Sequence, residues 1–187
     1  TRKTGIPTVT TVHSDYRLDY MHSLPKMLTI GLINSIALRY IENHIGVSDN
    51  FRKMLIERKF NPLDIYVLYN GMDFSRPAVQ YSRKKLLEKY RLDIEDDEVL
   101  VGIAARLYPV KNIETIVRAA HLVKPANKKI KFLIGGDGED RKKLEALTAE
   151  LGLKDTVFFL GWQDDPNELM SSIDISVLTS ISESFAY

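Results

Sequence analysis

The sequence predicts an α/β protein of the doubly wound, Rossmann-like kind. Three observations point there. Short β-rich runs are continuously apolar rather than alternating, as strands are when helices bury both faces of a parallel sheet. Segments with apolar residues at helical spacing stand between those runs. Glycines and cations gather where strands give way to helices, the edge at which open α/β sheets take their ligands.

The first run is Pro7 to His13. The most apolar stretch follows, Leu24 to Ile45, interrupted by Pro25, Lys26, Asn34, Ser35, Arg39, Glu42 and Asn43. It is too polar to span a membrane and reads as a helix buried against a sheet, although a surface resting on a bilayer also fits its composition. His44 to Ser48 and Ile65 to Tyr69 give two more strands. From Asn70 to Glu98 the rhythm breaks into an Asn-Gly turn, a proline, a short helix from Ser82 to Tyr90 and the acidic run DIEDDE. That composition marks a domain boundary near Asn70, dividing residues 1–69 from 70–187. Beyond it come four strands, Val99 to Ala105, Ile130 to Gly135, Thr156 to Leu160 and Asp174 to Thr179. Ile113, Ile116, Val117, Ala120 and Val123 mark one intervening helix; Leu144, Leu147 and Leu151 mark another, stopped at Gly152 by a left-handed cap.

The 187 residues suffice for one large domain or two modest ones. A net charge of +1 supplies no global field for nucleic acid or acidic membranes, so any anion site must be local. The absence of cysteine removes disulfides, thiol catalysis and cysteine metal sites, and suits a reducing cytoplasm. The opening residues have no apolar core of signal-peptide kind, and a cytoplasmic location is expected. Strands of this type at both ends suggest a piece of a larger protein, or a sequence that omits disordered parts.

Arg106 and Lys111 follow an apolar strand and precede a helix, in VLVGIAARLYPVKNIETIV. Two surface cations beside a loop would satisfy the sequence equally, but the position favours an anion such as a diphosphate, which a guanidinium clamps and an ammonium neutralises. Gly136 and Gly138 lie in a Gly-Gly-Asp-Gly turn that either brings backbone close to a ligand or serves as a tight turn and helix cap. Ser180, Ser182 and Glu183 should lie at the carboxyl edge of the same sheet, with Glu183 accepting hydrogen bonds from neutral hydroxyls or capping a helix start. His13 ends the first strand, where it would face a cleft between two domains. None of the other histidines stands at metal spacing from it, and no metal site is expected. No serine sits in a nucleophile elbow.

In order along the chain, TVHSD, HIGVSDNF, VLYNGMD, GIAARLYPVKN, LIGGDGED, VFFLGW and DISVLTSISESF resemble the group 1 glycosyltransferases. These are retaining enzymes of GT-B architecture, classed as glycosyltransferase family four, in which two Rossmann-like domains face each other. The resemblance implies that residues 1–69 are the carboxyl-terminal part of the amino-terminal, acceptor domain, and that 70–187 form an incomplete nucleotide-sugar domain. It implies that Arg106 and Lys111 neutralise the donor diphosphate, that Glu183 holds hydroxyls of the transferred sugar, and that His13 reaches the donor sugar from the other domain. Phe185 and the following backbone, at Ala186, would approach the sugar and distal phosphate; Gly136 and Gly138 would line the nucleotide cleft; Gly161 and Trp162 would lie near the base. The implied partners are a nucleotide-sugar donor and a hydroxyl acceptor such as a lipid-linked or polysaccharide glycan, with no nucleic acid, no cofactor and no metal, and with peripheral contact at the inner membrane face left open.

Three departures qualify the likeness. The family's second glutamate would fall beyond Tyr187, Ala186 replaces a usual glycine, and the family's first half with its glycine-rich acceptor loop is missing. The fragment alone is therefore expected to be inactive. A sugar-nucleotide epimerase of the same architecture and a non-catalytic nucleotide-sugar-binding module are the competing readings.

Overall fold

A computed structural model describes residues 5–15, 17, 23–71 and 81–183. The chain divides into two compact units, one of Thr1–Arg76 with Ser182–Tyr187 and the other of Pro77–Ile181.

The first unit holds a parallel three-stranded sheet in the order β1-β2-β3, from β1 (Val9–Val12), β2 (Asn43–Gly46) and β3 (Ile65–Val67). Helix α3 (Asp49–Glu57) follows β2 and was not legible in the sequence. Ser48 caps it by accepting from the Phe51 amide at 3.4 Å, with Asp49 in the first turn where the helix dipole favours a negative charge. Phe51 and Leu55, four residues apart, turn one face inward to join Val12, Phe60 and Ile65 in the core.

The stretch expected to be a buried helix is helical but not buried. It runs as α1 (Leu24–Lys26), a π-helical turn (Met27–Gly31) and α2 (Leu32–Leu38), and Gly31 is its only buried residue. Leu24, Leu28, Leu32 and Ile33 are all exposed, Ile33 by 62%. Met27, Ile30 and Ile36 are exposed as well, so the apolar residues lie uncovered on every side of the helix.

The second unit is a parallel four-stranded sheet in the order β6-β5-β4-β7. Its strands are β4 (Val99–Ala104), β5 (Ile130–Gly135), β6 (Val157–Gly161) and β7 (Ile175–Ser176), the last shorter than the expected run from Asp174 to Thr179. Alternate residues of β4 feed two cores. Val101 and Ile103 pack with Ile116, Val117 and Ala120 of α5 (Glu114–Val123) and Leu144 of α6 (Arg141–Glu150). Leu100 joins Leu86 and Leu87 of α4 (Arg83–Tyr90) and Leu169 of α7 (Pro166–Met170) on the other face. Helices on both faces explain the unbroken apolar runs. Gly152 takes φ +65° after α6, the left-handed cap expected there.

Strand order locates the ligand edge. From β4 the chain steps outward through β5 and β6, then returns to place β7 on the opposite side of β4. The reversal lies between β4 and β7, and open α/β sheets bind ligands at the carboxyl ends of such a pair.

Candidate functional site

Arg106 leaves the carboxyl end of β4 and lies exposed, its guanidinium 4.8 Å from the centre of the Tyr108 ring. Stacking on an aromatic face holds a cation in place without consuming its hydrogen-bond donors. Lys111 is carried on a 3-10 turn, Pro109–Lys111, and α5 begins only at Glu114. The helix start therefore stands farther from the pair than the sequence suggests, and its first-turn Glu114 pairs with Arg118 and Lys143.

The exit of β7 is tied to that turn. The Ile181 amide donates to the Val110 carbonyl at 2.8 Å, and the Thr179 hydroxyl donates to the Lys111 carbonyl at 3.0 Å. Ser180 lies between them, its hydroxyl oxygen buried and without a hydrogen-bond partner among the described residues. The second unit thus brings Lys111 and Ser180 together beside the loop that carries Arg106. Glu183 is half-buried and groups with the first unit. Phe185 and Ala186 lie outside the described residues.

The glycine turn after β5 is fitted against the β4 exit backbone to backbone. A Cβ on Gly136, which has φ +123°, would stand 1.9 Å from the Ala105 carbonyl oxygen, and one on Gly138 2.3 Å from that of Leu107. Amides of Ala105 and Leu107 donate to the carbonyls of Gly135 and Asp137 at 2.9 and 3.0 Å. These glycines are required first by the seam between two strand exits. Their closeness gives Arg106 a rigid seat.

A cleft of about 400 Å³ opens along this seam, lined by Ala105, Arg106, Gly136, Asp137, Trp162 and Gln163 among others. Lys111 and Gly138 are not among its lining residues. Asp137 and Gln163 were not singled out in the sequence. Asp137, placed between two of the glycines, accepts from the Gly138 amide at 2.7 Å and pairs with Arg141 at 3.1 Å. Hydrogen bonds to Glu145 and then Asp137 push the Arg141 guanidinium further up, and this one cation is shared between the two carboxylates. Arg106 is the cation that lines the cleft itself. Trp162 stands in its wall, 73% exposed, with the indole donating to Asp164 at 3.1 Å, whereas Gly161 before it does not line the cleft.

His13 belongs to the first unit, just past β1, where it lines a separate pocket of about 260 Å³ with Thr10, Ser14 and Asn34. Behind it Asp15 and Arg58 form a largely buried ion pair at 2.7 Å. Among the described residues no group of three or more histidine or acidic side chains is placed to hold a metal ion, and no helix is long and apolar enough to cross a membrane.

The sequence profile of the glycosyl transferases group 1 matches residues 85–187, more than half of the chain and the whole of the cleft just described. This chain belongs to that family. The profile of glycosyltransferase family 4 matches residues 1–76. The O-antigen biosynthesis glycosyltransferase WclY of Escherichia coli is 29% identical over 182 residues, covering 95% of this chain and 48% of its own length. The alpha-monoglucosyldiacylglycerol synthase of Streptococcus pneumoniae is 27% identical over 168 residues, covering 86% of this chain and 37% of its own length. The crystal structure of Anabaena HepE in complex with UDP and glucose superposes with a TM-score of 0.72 at 22% identity, over 96% of this chain and 48% of HepE. The fold is therefore that of a GT-B glycosyltransferase in part. The group 1 chain described here spans 48% and 37% of the length of these two curated relatives.

Proposed function

We propose that this chain is part of an enzyme moving a hexosyl-type sugar from a nucleoside-diphosphate donor to a hydroxyl acceptor, with retention at the anomeric carbon. Residues 1–69 would then belong to the acceptor side and 70–187 to the donor side. The observation that carries the proposal is Arg106, which leaves the carboxyl end of β4, the strand beside which the second sheet reverses direction, and lines the cleft on the β5 side. Family membership and the UDP complex of HepE support the same donor class.

In this reading Arg106 and Lys111 bind the diphosphate and stabilise the charge that grows on it as the bond from C1 to the diphosphate oxygen breaks. The acceptor oxygen bonds to C1 from the same face, and its proton passes to the departing diphosphate. Gly136 lines the nucleotide side, with Gly138 supporting the turn behind it, and Ser180 offers a hydroxyl to the phosphates. Glu183, Phe185, Ala186 and His13 take their places toward the sugar on family likeness alone. No metal ion or cofactor enters the proposal. WclY, named for O-antigen biosynthesis, and the pneumococcal diacylglycerol enzyme point to a glycan or lipid-linked acceptor. These relatives are transferases and lend nothing to the epimerase reading.

A thermal-shift comparison of UDP-, GDP- and ADP-sugars tests the donor class. A ligand at a hundred times its Kd stabilises the native state by about 2.7 kcal/mol. Arg106→Ala should abolish that shift and, in the full-length enzyme, lower turnover roughly a hundredfold or more. Turnover near the unsubstituted level would dismiss the role given to Arg106.

A further inference from the structure

We propose that Gln163 and Tyr90 are a positioning pair that holds the Gly161–Trp162 turn in the shape that receives the nucleoside of the donor. The inference rests on the donor-cleft reading above and adds residues that reading does not use.

Gln163 is only 8% exposed although it lines the cleft. A buried amide must be hydrogen-bonded or it destabilises the fold. Its Nε2 lies 2.9 Å from the Gly161 carbonyl, 3.2 Å from that of Trp162 and 2.9 Å from the Tyr90 hydroxyl, which in turn donates to Oε1 at 3.1 Å. Two consecutive carbonyls of one turn therefore converge on a single side-chain amide. The Gly161 carbonyl also accepts from the Gly136 amide at 2.7 Å, so the exits of β5 and β6 meet at one oxygen. Tyr90 closes α4 and lies 73 residues away in sequence, which makes the link a tertiary one. The stem of Gln163 passes 3.0 Å from where a Cβ on Gly135 would stand, filling the floor of the cleft.

A leucine would fill that floor as well. What the amide adds is direction: it draws the carbonyls of residues 161 and 162 toward one side chain, while the Trp162 indole stands exposed at the cleft wall. An exposed ring on a fixed turn is a stacking platform for a base.

Trp162 is the only tryptophan in the chain, so intrinsic fluorescence reads this turn directly. The experiment titrates the wild-type chain, Tyr90→Phe and Gln163→Leu with UDP, ADP and GDP in turn, and measures inorganic pyrophosphate binding in parallel by calorimetry. Tyr90→Phe removes one hydroxyl and keeps the ring, which guards against a variant that fails to fold. Each variant should bind the preferred nucleotide about tenfold more weakly, the scale of a lost hydrogen bond, with a shifted Trp162 emission and unchanged pyrophosphate affinity. Nucleotide binding equal to wild type in both variants would overturn the inference alone. So would a parallel loss of nucleotide and pyrophosphate, which marks a merely structural pair. A wild-type chain that binds no nucleotide would overturn the donor reading and this inference with it.

Discussion

Gly136→Ala is the substitution whose effect can be worked most directly from the coordinates. At φ +123° an L side chain is strained, which costs roughly 1–3 kcal/mol. The new methyl would also stand 1.9 Å from the Ala105 carbonyl oxygen and 2.9 Å from its carbon. Those atoms are backbone and cannot swing aside, so the exit of β4 must move, at a further cost of about 1–3 kcal/mol. The sum, about 2–6 kcal/mol, is a large share of a typical domain stability of about 5–15 kcal/mol. Gly152→Ala is the matched comparison: φ is +65°, but nothing lies within 4 Å, so about 1–2 kcal/mol is expected from conformation alone. Urea unfolding followed by far-ultraviolet circular dichroism gives both values from midpoints at constant slope. If Gly136→Ala loses no more than Gly152→Ala, the seam between strand exits does not demand glycine.

Three further expectations are simpler. Leu133→Ala, at a fully buried position between β4 and β6, should destabilise the second unit by about 2–5 kcal/mol in the same assay. The Leu100 amide, donating to Asp174 at 2.7 Å, holds that carboxyl below its ordinary 3.8, with Arg83 assisting. Because the folded-state value is depressed, the stabilisation is fully present above about pH 4 and is lost as pH falls through the folded value. Asp174→Ala should therefore lower the melting temperature at pH 7, and the gap to wild type should close as the scan moves well below pH 4. Lys129→Ala breaks an exposed pair with Asp97 and should leave the unfolding midpoint unchanged within error.

The seven strands, their division three and four, and the loop carrying Arg106 were legible because a buried parallel strand must be apolar on both faces, and that pattern survives in linear sequence. Helix α3 was missed because RKMLIERK mixes charge and apolar residues too evenly for a short window, and its cap Ser48 was absorbed into the preceding strand. The run from Leu24 failed differently. Composition reports how apolar a segment is, not whether anything covers it, and the π turn at Met27–Gly31 has no local signature. In the cleft, Arg106 and Gly136 announced themselves by residue type and position, and Trp162 through the family resemblance. Gln163 did not, since a glutamine beside two aspartates looks like surface until the carbonyls around it are known. Its Tyr90 partner is far along the chain, and no pattern of spacing encodes such a meeting.

β7 is only two residues long, is held by β4 on one side, and has no strand on the other among the described residues. Ile175 and Leu178 are exposed along it. A margin of two residues offers too few unpaired amides and carbonyls for a second chain to zip onto, even with apolar neighbours. Turbidity that rose with concentration and was suppressed by a short β-forming peptide in excess would show that even so short a margin recruits a second strand.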